Sequence, residues 1–133
     1  MQRRKFRQNK LWRDKAVEWL ESAGSKLHWK RLDDAEFAEE LKTKLLEEAN
    51  EVCTAKSPAS LCEEMADVLE VLASFCELHA IPLEEVIRCQ HEKRQERGGF
   101  SGRKYITLAE HPIGSFGEAY CLNDPEKYPE MFE

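Results

Sequence analysis

The sequence predicts an all-α protein: a helical bundle of about four helices, completed by oligomerisation, with an irregular C-terminal tail. Three observations predict it. Apolar residues recur at helical spacing from about residue 10 to residue 87. One stretch, from Leu61 to Leu78, is apolar around most of the helical wheel, which calls for the centre of a bundle or for a partner subunit. Five of the six glycines and three of the five prolines lie from Gly98 onward, so regular structure thins out there.

The elements follow in order. Trp12, Ala16, Trp19, Leu20 and Ala23 share one face of a helix over about residues 10–23, with Gly24 as its stop. Asp33 or Asp34 caps the second helix, and Glu36 and Glu39 suit its early turns. Its stripe is Ala38, Leu41, Leu45, Ala49, Val52 and Cys53, and it runs to about Lys56, where Ser57-Pro58 breaks it. The third helix opens at Ser57 or Ser60 and carries the widely apolar stretch to Leu78. Pro82 suits the first turn of a fourth helix that passes through Leu83, Val86 and Ile87 to a basic end, stopped by Gly98-Gly99. Lys104–Leu108 reads as a short strand in an otherwise looped tail. The domain organisation expected is a helical domain over residues 1–100 and a Gly/Pro/aromatic tail over 101–133, packed on the bundle or on a neighbouring subunit.

Composition narrows the function. With 35% charged residues and no apolar run of about 18–20 residues, a membrane span is not expected. A net charge of −6 is a poor match for a nucleic-acid polymer. The charge is unevenly placed: +6 over residues 1–15, −9 over 33–70 and +4 over 88–104. The five cysteines are odd in number and lack CxxC spacing, so neither a zinc site nor a disulfide framework is expected. Cys53, Cys62 and Cys76 read as small buried hydrophobes in a reducing compartment. The basic N-terminus lacks the apolar run of a secretory signal, and a cytoplasmic location is expected.

Two acid pairs carry the chemistry. Glu48/Glu51 on the second helix and Glu64/Asp67 on the third are each three residues apart, hence neighbours on a helix surface. One member of each pair falls within the apolar face. The short break at 56–60 makes the helices antiparallel neighbours, so the pairs can face each other. Carboxylates gathered in a partly apolar groove repel and cost free energy to desolvate. A hard divalent cation such as Mg²⁺ compensates, taking oxygen ligands and keeping substrate phosphates in its shell; ion pairing or plain exposure are the alternatives. Lys44, four residues before Glu48, is either a salt-bridge partner or a phosphate ligand. On the fourth helix, Lys93 and Arg97 prolong the inner face with Arg94 beside them, and C-terminal cations also suit the helix dipole. Acids ready for a metal, set beside cations, describe a diphosphate or triphosphate site. There is no GxxxxGKS or GxGxxG, so no glycine-rich loop holds the phosphates. His28, His79, His91 and His111 are scattered and pair with no nucleophile.

Glu47-Glu48-Ala49-Asn50-Glu51, twelve residues, then Glu64-Met65-Ala66-Asp67 resembles the EExxE…ExxD signature of the all-α nucleoside triphosphate pyrophosphatases, the MazG-like superfamily that includes phosphoribosyl-ATP pyrophosphohydrolase. Asn9–Lys15, NKLWRDK, is similar to the NKLVRDK opening of its small house-cleaning members, and Glu96–Phe100, ERGGF, to their KRGGF end. The chain departs from that branch at Trp12, at Ala16-Val17 and in the long tail from Ser101. The resemblance implies Mg²⁺-dependent hydrolysis of a nucleoside triphosphate to monophosphate and diphosphate, Mn²⁺ being a substitute, in a homodimer or homotetramer. It places metal ligands at Glu48, Glu51, Glu64 and Asp67, with Glu47 on the position of a water or outer ligand. The catalytic candidates are Glu47 and Glu48. The phosphate-binding candidates are Lys44, Lys93, Arg94 and Arg97. Phosphoribosyl-ATP as substrate and a non-catalytic helical dimerisation module are the competing readings. Trp12, Trp19, Trp29 and Phe37 could stack on a base or serve as core.

Overall fold

The computed structural model describes residues 2–133, and among them it is all-helical, with five helices and no strand. They are α1 (Asp14–Ser22), α2 (Asp34–Thr54), α3 (Pro58–Leu78), α4 (Leu83–Arg97) and α5 (Phe116–Leu122). The chain divides into two compact units, one through Gln95 and one over Glu96–Glu133.

α1 starts later than its periodicity suggests. Asn9 has φ 51°, a left-handed conformation that asparagine tolerates, and Arg13 is still extended, at φ −65° and ψ 139°. The Arg13 carbonyl then accepts from Ala16 and Val17 and opens the helix. Gly24 ends it as expected: at φ 100° its N–H reaches the Glu21 carbonyl, while the Ser25 N–H reaches Leu20. That pair of bonds is a Schellman cap.

α2 is capped by Asp33. Its carboxylate accepts from the Glu36 N–H at 2.8 Å, and the Glu36 carboxylate accepts from the Asp33 N–H at 3.4 Å, a reciprocal capping box. The helix stops at Thr54, where Ala55 turns extended at φ −60° and ψ 136°, and Pro58 disfavours helical backbone at Ser57. Ser57 Oγ accepts from the Ser60 N–H at 3.1 Å and caps α3, with Pro58 in its first turn. Three residues thus separate two 21-residue helices, which fold back into an antiparallel hairpin, the most extensive helix-to-helix contact among the described residues.

The core lies between α2 and α3. Leu41, Val71 and Cys76 are its buried apolar residues, and Phe37, Leu45, Val52, Val68 and Phe75 are half-buried around them. The remaining apolar positions of α3 are open: Leu61, Met65, Leu69 and Leu72 are exposed, as is Leu46 on α2. Two expectations of burial fail. Trp19 is 72% exposed although it shares the α1 stripe, and Cys53 and Cys62 are exposed although their positions are apolar; only Cys76 is buried. A hairpin of two helices covers one side of each helix, so a wide apolar arc outruns it. All five cysteines are free thiols.

α3 ends in a second Schellman cap, with Ala80 at φ 53°, its N–H on Glu77 and the Ile81 N–H on Cys76. In α4, Glu84 and Glu85 occupy the first turn and Gly98, at φ 81°, follows the last. Beyond it the strand expected at Lys104–Leu108 is corrected. Residues 104–108 are irregular, since no neighbouring strand is present to take their backbone hydrogen bonds. α5 is the unanticipated helix. Ser115 caps it by accepting from the Glu118 N–H, and Phe116, Tyr120 and Tyr128 gather in tilted aromatic contact. No helix among the described residues is long and apolar enough to cross a membrane.

Candidate metal centre

Glu48 follows Leu41 by seven residues, Leu45 by three and precedes Val52 by four, so it shares the face that α2 turns to α3. Among the described residues it is accordingly the one buried charged residue, 9% exposed. Across the hairpin, Glu64 and Asp67 stand one turn apart on α3. One carboxylate oxygen from each of Glu48, Glu64 and Asp67 lies within 4.8 Å of the others. Three of the four expected ligands thus converge.

Glu51 lies outside this three-way group and is exposed, but its charge reaches it. The Glu64 carboxyl is held above its ordinary pKa first by desolvation, then by the charges of Glu51, Asp67, Glu48 and Glu63. Among the described residues Glu64 makes no ion pair, and it therefore bears the crowding uncompensated.

The other acids are compensated. Lys44 Nζ is 3.5 Å from Glu48 Oε1 and 3.6 Å from Glu47 Oε1. Lys44 thus bridges both acids by ion pairs. Lys10 Nζ lies 3.2 Å from Glu47 Oε1, and Arg13 Nη2 lies 2.7 Å from Asp67 Oδ1. Lys10 and Arg13 were not among the residues expected at the site. Their signal was present in the +6 block and in the Asn9–Lys15 stretch, but no local rule says which acids such a segment meets. Lys93, Arg94 and Arg97 stand on the exposed α4 and form no ion pair with these acids among the described residues.

The donor set suits a hard cation. Three carboxylate oxygens from two adjacent helices offer oxygen ligands and negative charge. Beside it, Ala49, Val52, Cys53, Met65, Val68 and Leu69 line an open apolar groove across the hairpin.

Residues 37–99 match the family model described as the MazG nucleotide pyrophosphohydrolase domain. The match covers α2 from Phe37, all of α3 and α4, and contains all four acids of the two pairs. No curated protein and no solved structure matches the chain.

Proposed function

We propose that this chain, whose residues 37–99 carry a MazG-like nucleotide pyrophosphohydrolase domain, cleaves a nucleoside triphosphate to monophosphate and diphosphate with Mg²⁺. Its role in this reading is house-cleaning of non-canonical or excess nucleotides. The observation that carries it is the convergence of Glu48, Glu64 and Asp67 within 4.8 Å across the α2–α3 hairpin.

Glu48, Glu64 and Asp67 would hold the cation, with Glu51 completing the set on the exposed side. When bound, Mg²⁺, or Mn²⁺ in its place, neutralises phosphate charge and polarises the anhydride. Glu47 orients the attacking water and takes its proton, and its contact with Lys44 fixes the carboxylate's position. Water adds, the α–β anhydride bond breaks, and diphosphate leaves with the bridging oxygen. Lys93, Arg94 and Arg97 serve the phosphates in this reading, as cations at the end of α4. Residues 1–100 form the catalytic domain, and 101–133 an accessory tail.

The working form is a homodimer or homotetramer. Support comes from the open apolar face of the hairpin, where Leu46 is 73% and Leu69 64% exposed. Five free thiols fit a reducing, cytoplasmic setting.

The test is a diphosphate-release screen over canonical, deoxy and modified nucleoside triphosphates together with phosphoribosyl-ATP, with Mg²⁺ and with EDTA. Turnover abolished by EDTA and by Asp67→Asn is expected. Preference for phosphoribosyl-ATP would transfer the chain to that reaction. Release indifferent to EDTA would refute the metal centre, and no release from any nucleotide would leave a non-catalytic helical module.

A further inference from the structure

The N-terminal segment is built to reach the carboxylates. Residues 10–13 lead without helical structure into α1 and end in the extended Arg13, with Leu11 and Trp12 half-buried and Lys10 and Arg13 exposed. The Arg13 backbone is fixed because its carbonyl opens α1. Arg3 ties the segment's start to the far end of that helix, donating from Nε and Nη2 to the Gly24 carbonyl at 3.3 and 3.2 Å. From this frame Arg13 crosses 54 positions of sequence to Asp67, and Lys10 crosses 37 to Glu47.

Stability does not account for these contacts. Arg13 is 58% exposed and Lys10 41%, and ion pairs at such exposure contribute little. Both acids belong to the candidate centre, one as a metal ligand and one as the group that positions water. A cation on Asp67 and a divalent metal on Asp67 compete for the same negative charge. A guanidinium fork suits phosphate as well as carboxylate.

We propose that Arg13 and Lys10 are phosphate-binding residues of the centre. In the metal-free chain they are counter-ions to Asp67 and Glu47, and they pass to the nucleotide's phosphates when the carboxylates take a divalent cation. The assignment rests on the metal-nucleotide reading above and deepens it, since both residues lie outside the matched span of 37–99. It adds a phosphate clamp from the N-terminus to a centre otherwise drawn from α2 and α3.

The experiment is calorimetric binding of Mn²⁺ alone, and of tripolyphosphate in the presence of Mg²⁺, to the full chain. It compares wild type with Arg13→Gln, Arg13→Lys, Lys10→Gln and, as a charge control from the same segment, Arg7→Gln. Arg13→Gln is expected to bind Mn²⁺ roughly three- to tenfold more tightly, because a nearby positive charge is gone. The same variant should bind tripolyphosphate at least about tenfold more weakly, having lost a charge-assisted contact. Lys10→Gln should follow it on tripolyphosphate. Arg13→Lys should keep wild-type Mn²⁺ affinity and lose part of the tripolyphosphate affinity. Opposite movements of the two affinities are the signature, since a merely structural role weakens both together. Both affinities falling, neither changing, or Arg7→Gln reproducing the effect would overturn the assignment while wild-type binding leaves the metal-nucleotide reading standing. A wild-type chain that binds neither probe overturns both.

Discussion

Glu48→Gln separates a metal ligand from a structural ion-pair partner, because the two roles predict different orders of stability. The substitution keeps volume and removes one buried charge. It loses the attraction to Lys44 at 3.5 Å, which is about 1.2 kcal/mol in a water-like medium and about 4.7 kcal/mol at an effective dielectric of 20. It also removes the repulsion from Asp67, within 4.8 Å, worth at least about 0.9 to 3.5 kcal/mol on the same scale. Glu64 adds a second repulsion at similar range. Two repulsions against one attraction leave a small net relief, so the metal-free variant should be as stable as wild type or more so, by up to about 1–2 kcal/mol. A cation held at about 100 times its dissociation constant then adds about 2.7 kcal/mol to wild type. The variant should gain little. The order of melting temperatures therefore inverts between EDTA and Mg²⁺, which thermal unfolding followed by circular dichroism reads directly. A variant more than about 2 kcal/mol less stable in EDTA, or one shifted by Mg²⁺ as far as wild type, would refute the reasoning.

Four further outcomes follow from the fold. Leu41→Ala removes one of the three buried apolar side chains and should cost about 2–5 kcal/mol in urea unfolding; a loss under 1 kcal/mol would mean that the hairpin core lies elsewhere. Ala80→Gly relieves the left-handed Schellman position at φ 53° and should raise stability by about 1 kcal/mol, whereas a lowered melting temperature would show that the conformation is unstrained. Leu69→Asp places a charge on the open face of α3 and should shift sedimentation to the monomer if that face is the subunit contact. The Glu85 carboxyl is held below its ordinary range by its hydrogen bond to Arg88 and then by that residue's charge. A folded value below the unfolded one means that its contribution is complete above the unfolded pKa and is lost as pH falls through the folded value. A carbon-detected titration should therefore place Glu85 below the ordinary glutamate range, and Arg88→Ala should return it there.

The sequence by itself determined much of what rests on neighbours along the chain. The capping box of Asp33 and Glu36, the Ser57-Pro58 start of α3 and the Gly24 stop follow from backbone groups satisfied within four or five residues. The i, i+3 spacing of Glu64 and Asp67 is likewise local, and so is the face shared by Leu41, Leu45 and Glu48. Even α5 was locally announced, by Ser115 and Glu118 at capping distance, but Gly117 within a seven-residue helix masked its period. What needed the tertiary structure were the meetings across the hairpin. Periodicity puts Glu48 and Glu51 on one helix alike; only the packing of α2 on α3 brings Glu48 into the three-carboxylate group and leaves Glu51 at its margin. Periodicity also puts Trp19 and Cys62 on apolar stripes, but burial needs an opposing surface, and none of the described residues supplies one. Lys10 and Arg13 show the same limit from the other side. A basic segment declares its charge in sequence, while its partners, 37 and 54 residues away, are chosen by where the chain returns. Coulomb attraction acts through space, and the order of residues does not record it.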